Sequence, residues 1–241
     1  MKRLLLLCLL VWFWASAGCS PVEKITRPGT EPMLYGKICR PPSPGPHPAV
    51  VLLHGRWGFH EDHVALAETL AAQGYTTLAL DYYNGRPALY VRMLGNQWDA
   101  WERTIGNAVS FLRNTPGVLA DRIGLVGFSQ GGFLALSTAR SLPGVKAVVS
   151  YYGGALKEPT DDDIRGLPPV LLIHGEADTV VPPECSRRLY KALVRLGKTA
   201  DLVIYPGAAH AFNFNGPNED VPATEDAHKR MLTFLGEYLK P

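Results

Sequence analysis

The sequence predicts an α/β protein, with a mostly parallel central sheet and helices on both faces. Three observations carry this. Six short, continuous apolar runs rich in β-branched residues recur along the chain. Amphipathic patterns at helical spacing lie between them. The first three runs end abruptly, at His54-Gly55, Asp81 and Gly127. Short runs without polar alternation suit strands buried on both sides, and strands alternating with helices make parallel sheets.

The chain opens differently. Lys2 and Arg3 precede the apolar stretch Leu4 to Ala15, and small residues lead to Cys19. A basic head, an apolar middle too short for a comfortable membrane span and a small-residue end form the layout of an export signal. Ser16-Ala17-Gly18-Cys19 resembles a bacterial lipoprotein lipobox, with Ser16 where that motif has an aliphatic residue. The resemblance implies lipidation of Cys19, a membrane tether and a place in the periplasm or cell envelope of a bacterium. Residues 1–19 then read as the signal, 20–32 as a tether and 33–241 as one domain. Cys8 leaves with the signal. Cys39 and Cys185 fall in separate elements and are expected to be buried and unpaired.

Within the domain the expected strands are Ala49 to Leu53, Thr76 to Leu80, Ile123 to Val126, Val145 to Val149, Val170 to Ile173 and Leu202 to Tyr205. Helical stripes are Val64, Ala67, Leu70 and Ala71, then Trp98, Trp101, Ile105, Ala108 and Leu112. Leu189, Ala192, Leu193 and Leu196 form another, and Met231, Phe234, Leu235 and Tyr238 the last. Each stripe is one core-facing side of a helix. With 241 residues, 46% of them hydrophobic, there is enough chain for a single sizeable core. Lys plus Arg is 24 and Asp plus Glu is 22. The near balance gives no basic face for nucleic acid.

In such a sheet the ligand crevice lies past the carboxyl ends of the strands. After the third run stands Gly127-Phe128-Ser129-Gln130-Gly131-Gly132, a Gly-x-Ser-x-Gly pattern between a predicted strand and a predicted helix. That context marks a sharp turn presenting a nucleophilic serine, as in the α/β-hydrolase fold. The flanking glycines leave room for the turn, and the following helix aims N–H groups at an oxyanion.

A serine hydroxyl needs a base, and the base needs a carboxylate to hold it. In this fold the chain order is serine, acid, histidine. Asp178 follows the fifth run, in Gly175-Glu176-Ala177-Asp178; His210 follows the sixth, in Pro206-Gly207-Ala208-Ala209-His210. Glu176 is the nearest rival acid. Asp81 comes before the serine, Asp201 precedes its strand, and Asp161 to Asp163 read as a solvated loop. Among the other histidines, His54 and His174 precede glycines and read as turn supports. His60 and His63 read as a solvated helix start and not as metal ligands. The oxyanion donors are expected to be the backbone N–H groups of Gln130 and Arg56, with Trp57 as the fallback. Trp57, Tyr82, Arg86, Tyr151 and Phe212 are candidates to contact substrate, although core packing accounts equally well for the aromatic ones.

These motifs resemble the dienelactone hydrolase family of the α/β-hydrolases, from about Met33 to the C-terminus. Gly127 to Gly132, Ser150-Tyr151-Tyr152-Gly153-Gly154, the acid loop and the histidine loop carry the resemblance, Tyr151-Tyr152-Gly153 being the most specific. The best-known members use cysteine as nucleophile and an acidic residue in the oxyanion-side loop; here Ser129 and Gly55 stand there. Those members hold a substrate carboxylate with arginines. Where one of these follows the histidine, this chain has Asn213, Phe214 and Asn215, and Arg86 is a partial substitute for another. The resemblance implies the fold and the triad more than a dienelactone substrate. The expected activity is cofactor-free and metal-free hydrolysis of small carboxylic esters through an acyl-enzyme. Amide or thioester cleavage on the same triad stays open, as does a surface-tethered binding protein without chemistry. Oligomeric state is not legible.

Overall fold

The computed structural model describes residues 34–241 and, by backbone alone, Glu23–Ile25. The expected signal and Cys19 lie outside the described residues. Among the described residues no helix is long and apolar enough to cross a membrane.

The strands are β1 (Glu23–Ile25), β2 (Leu34–Cys39), β3 (His47–Leu53), β4 (Thr76–Leu80), β5 (Val118–Phe128), β6 (Val145–Tyr151), β7 (Val170–Gly175) and β8 (Ala200–Tyr205). They form one sheet in the order β1-β2-β4-β3-β5-β6-β7-β8. From β4 to β8 every pairing is parallel. All six predicted strands are there. β2 pairs antiparallel with β4, and β1, inside the stretch read as a tether, pairs antiparallel with β2. Neither was expected, since β2 alternates buried and half-buried residues around a glycine and a lysine and offers no continuous apolar run.

Helices α1 (Glu61–Ala72), α3 (Trp98–Arg113), α4 (Gln130–Ala139), α6 (Glu184–Arg195) and α7 (Val221–Leu239) cover the sheet; α2 (Ala88–Met93) and α5 (Asp161–Arg165) are short additions. Alternate residues of β3 show why both faces are apolar. Ala49, Val51 and Leu53 pack with Ile105 and Leu112 of α3, Leu134 of α4 and Leu189 of α6. Val50 and Leu52 pack in the opposite layer with Leu70 of α1 and Met231 and Leu235 of α7. The period of two along each strand therefore feeds two cores at once.

Cys39 is buried and disulfide-bonded, whereas Cys185 is a buried free thiol. The two do not pair with each other, and the expectation of an unpaired thiol holds only for Cys185.

Leu70 is fully buried between α1 and the sheet. Leu70→Ala is expected to lower unfolding free energy by about 2–5 kcal/mol, the range for a buried leucine deletion, in a denaturant titration.

Candidate active site

The site begins with a close approach. A Cβ on Gly127 would collide with the Gly131 carbonyl, and one on Gly131 with the Leu53 carbonyl. The absence of both side chains lets the first turn of α4 press against the ends of β3 and β5. Ser129 is thereby forced to φ 53° and ψ −117°. Its N–H donates to the Tyr151 carbonyl at 2.9 Å, and its own carbonyl accepts from Gly132 and Phe133 at 2.8 and 3.1 Å. These bonds hold a conformation that costs a non-glycine residue about 1–3 kcal/mol.

His210, past β8, brings Nε2 to 3.1 Å from Ser129 Oγ, and its Nδ1 lies 2.7 Å from Asp178 Oδ2. The three expected side chains thus form one hydrogen-bonded series. The Asp178 side chain is fully buried and that of His210 is 15% exposed. Ala177 N–H donates to the Ala208 carbonyl at 3.0 Å, which ties the acid loop to the histidine loop.

Asp178 has more partners than the sequence suggested. Oδ1 accepts the N–H groups of Val180 and Val181 at 2.8 and 2.9 Å. Oδ2 accepts from His210 and also lies 3.2 Å from His174 Nε2. Burial pushes the Asp178 carboxyl up, but the hydrogen bonds from His174, His210 and Val181 outweigh it and hold the group well below the usual carboxylate range. These contacts therefore favour its anionic form. His174 is itself fully buried, with Nδ1 2.7 Å from Ser186 Oγ and Nε2 2.9 Å from the Val181 carbonyl. Read from sequence as a turn support, it also braces the carboxylate.

Tyr152 is the other residue the sequence reading missed. It is buried at φ 39°, its ring lies 4.7 Å from that of His210, and its hydroxyl donates to Asn213 Oδ1 at 2.7 Å. Ala211 sits at φ 61°. Among the described residues, three of the four non-glycine residues with positive φ (Ser129, Tyr152 and Ala211) touch or adjoin this series. Such strain gathers where side chains must be aimed.

Several expected contact residues lie elsewhere. Tyr151, still inside β6, faces α7, and its hydroxyl donates to the Ala227 carbonyl at 3.3 Å. Phe212 is fully buried in the same layer. Tyr82 is fully buried as well; its hydroxyl donates to the His54 carbonyl at 2.8 Å, and that of Tyr83 donates to the Arg56 carbonyl at 3.2 Å. Tyr82 and Tyr83 thus fix the loop 54–58 and do not face the opening. That loop adjoins the serine, since a Cβ on Gly55 would stand 3.5 Å from Ser129 Cβ. Gln130 is the first residue of α4, where an N–H has no acceptor within the helix. Trp57 and Arg86 are exposed at the rim.

His60 caps α1 and is exposed, as a helix start should be. His63 departs from expectation: it is buried among Phe59, Phe128, Phe214 and His54. Its burial, reinforced by His54, lowers its pKa to about 3. No group of side chains suited to a metal ion occurs among the described residues.

The model of the dienelactone hydrolase family matches residues 34–239. A Methylorubrum extorquens relative, provisionally named a carboxymethylenebutenolidase, is 29% identical over 230 residues, covering 86% of this chain and 79% of its own. The dienelactone hydrolase of Anabaena variabilis superposes with a TM-score of 0.69 at 25% identity, covering 87% of this chain and 94% of that one. A Klebsiella pneumoniae structure, provisionally a dienelactone hydrolase, shares the fold with a TM-score of 0.79 at 24% identity, covering 91% and 98%.

Two expectations follow. His174→Leu should lower kcat about tenfold or more with little change in KM, because Asp178 loses a brace while the opening is untouched; steady-state kinetics on a short ester check it. His63 contributes full stability above the unfolded value near 6.5 and loses it as pH falls from there toward 3, because only the unfolded chain takes the proton. His63→Phe should flatten that loss in denaturant titrations across the same window.

Proposed function

We propose that this chain, which belongs to the dienelactone hydrolase family, hydrolyses carboxylic esters through an acyl-enzyme on Ser129. The observation that carries the proposal is the series Ser129 Oγ–His210 Nε2, 3.1 Å, and His210 Nδ1–Asp178 Oδ2, 2.7 Å, built on a strained serine and a buried anion. The name of the Methylorubrum relative points the same way, a butenolide being a cyclic ester.

The chemistry follows from the contacts. His210 Nε2 takes the hydroxyl proton as Ser129 Oγ bonds to the ester carbonyl carbon. The imidazolium that forms is held by the Asp178 anion at Nδ1. The carbonyl oxygen becomes an oxyanion and is met by the N–H of Gln130 and that of Arg56, or Trp57 beside it. His210 then gives its proton to the leaving alkoxide, and the C–O bond breaks. Water enters, loses a proton to His210 and attacks the acyl carbon; Ser129 leaves with that proton, and the acid is released. Beyond the ester and water, these steps call for no metal or organic cofactor.

Ser129→Ala is expected to lower kcat on short esters by roughly 10³-fold or more and to abolish covalent labelling by an active-site-directed phosphonate. Undiminished turnover by that variant would overturn the proposal. Parallel assays on thioester and amide analogues should give smaller kcat/KM values than the ester.

A further inference from the structure

The parallel strands β3 to β8 all end at one edge of the sheet, and the loops beyond them frame Ser129. Among the described residues eight large apolar side chains are more than half exposed, and six of them stand on this rim. Trp57 follows β3; Leu89, Tyr90 and Met93 lie on α2, after β4; Leu156 follows β6 and Val180 follows β7. Since β5, which carries Ser129, runs between β3 and β6, the apolar residues flank the nucleophile on both sides.

α2 is turned the wrong way for a core helix. Val91 is buried, but Leu89, Tyr90 and Met93 fall on one side of the turn and face solvent. The helix is pressed onto the oxyanion-side loop. A Cβ on Gly58 would stand 3.3 Å from Ala88 Cβ, and the Arg92 guanidinium lies over the Trp57 ring at 5.0 Å. An apolar face exposed in this way, packed on a loop that adjoins Ser129, marks a binding surface.

The charge around α2 and Trp57 is one-sided. Arg56, Arg86 and Arg92 are exposed and make no ion pair among the described residues, and no acidic residue occurs between Asp81 and Asp99 or from His54 to His60. A second copy of the chain docked symmetrically here would set these cations against one another. An amphiphile carrying a negative group meets both properties of the surface.

We infer that the rim formed by α2 and Trp57 binds the substrate itself, and that the substrate is an amphiphilic ester with an extended apolar group and an anionic group. The inference rests on the proposed ester hydrolysis. The apolar group lies along Leu89, Tyr90 and Met93, and the anion is drawn to the arginines beside them. This differs from a small, compact ester held wholly inside the crevice.

Three pairs of esters test it on the full chain. p-Nitrophenyl octanoate against acetate extends the acyl side, octyl acetate against ethyl acetate extends the alcohol side, and the mono-p-nitrophenyl ester of octanedioic acid against the octanoate adds a carboxylate. The expected result is a kcat/KM at least about tenfold higher for the long member of one of the first two pairs, with the carboxylate adding to it. Leu89→Ser with Met93→Ser should leave acetate turnover within about twofold and remove most of the long-chain advantage through KM. Arg92→Gln should remove most of the carboxylate advantage, as should high salt. Chain length without effect in both pairs, a carboxylate without effect, or equal losses on short and long esters in the double variant would overturn this inference alone. Inactivity toward every ester, acetate included, would overturn the ester reading and this inference with it.

Discussion

The site hangs on one steric constraint: the first turn of α4 touches the carbonyls at the ends of β3 and β5. Only hydrogen fits on the α-carbons of Gly127 and Gly131 at that contact. The contact bends the backbone of Ser129 and brings the open N–H groups of the helix beneath its oxygen. It also places loop 54–58 alongside, where the Tyr82 and Tyr83 hydroxyls hold the carbonyls of His54 and Arg56. The proposed nucleophile and the proposed oxyanion donors thus share one steric origin.

A second centre is the Asp178 carboxylate. Its oxygens accept two backbone N–H groups and face two imidazoles, so a buried charge finds its acceptor capacity nearly filled. A carboxylate so fixed can aim His210 without help from solvent. From the other side, Tyr152 packs against the imidazole, and Asn218 donates to the His210 carbonyl at 2.9 Å. The ring is placed by neighbours on several loops, which explains why strained residues accumulate around it.

Much of this was legible in the chain because the parallel sheet writes itself as continuous apolar runs. Ser129, Asp178 and His210 each follow such a run, and their order agrees with the turn chemistry. What escaped has physical causes. β2, near the sheet margin, mixes polar and apolar residues, so its run is broken. α2 has its apolar side outward, so no core stripe announces it. Tyr151 and Tyr152 differ by one position, and that step carries the side chain from the layer under α7 to the histidine. His174 and His63 look like local turn and helix-start residues; only the folded chain reveals their burial. Loop 54–58 lies beside the serine, while of the aromatics expected at the opening Tyr82 supports that loop and Tyr151 and Phe212 pack in the layer under α7.

The direction of β1 has a consequence for the molecule as a whole. It runs opposite to β2, which runs opposite to β4, so β1 points the same way as the strands that carry the reactive groups. Its register is shifted toward their carboxyl ends: Glu23 lies opposite Gly36, Gly36 opposite Leu80, Leu80 opposite Leu53 and Leu53 opposite Gly127, so Glu23 starts level with the strand ends that frame Ser129. A support gripping the chain upstream of Glu23 would therefore hold the molecule at that same level, from the β1 margin of the sheet.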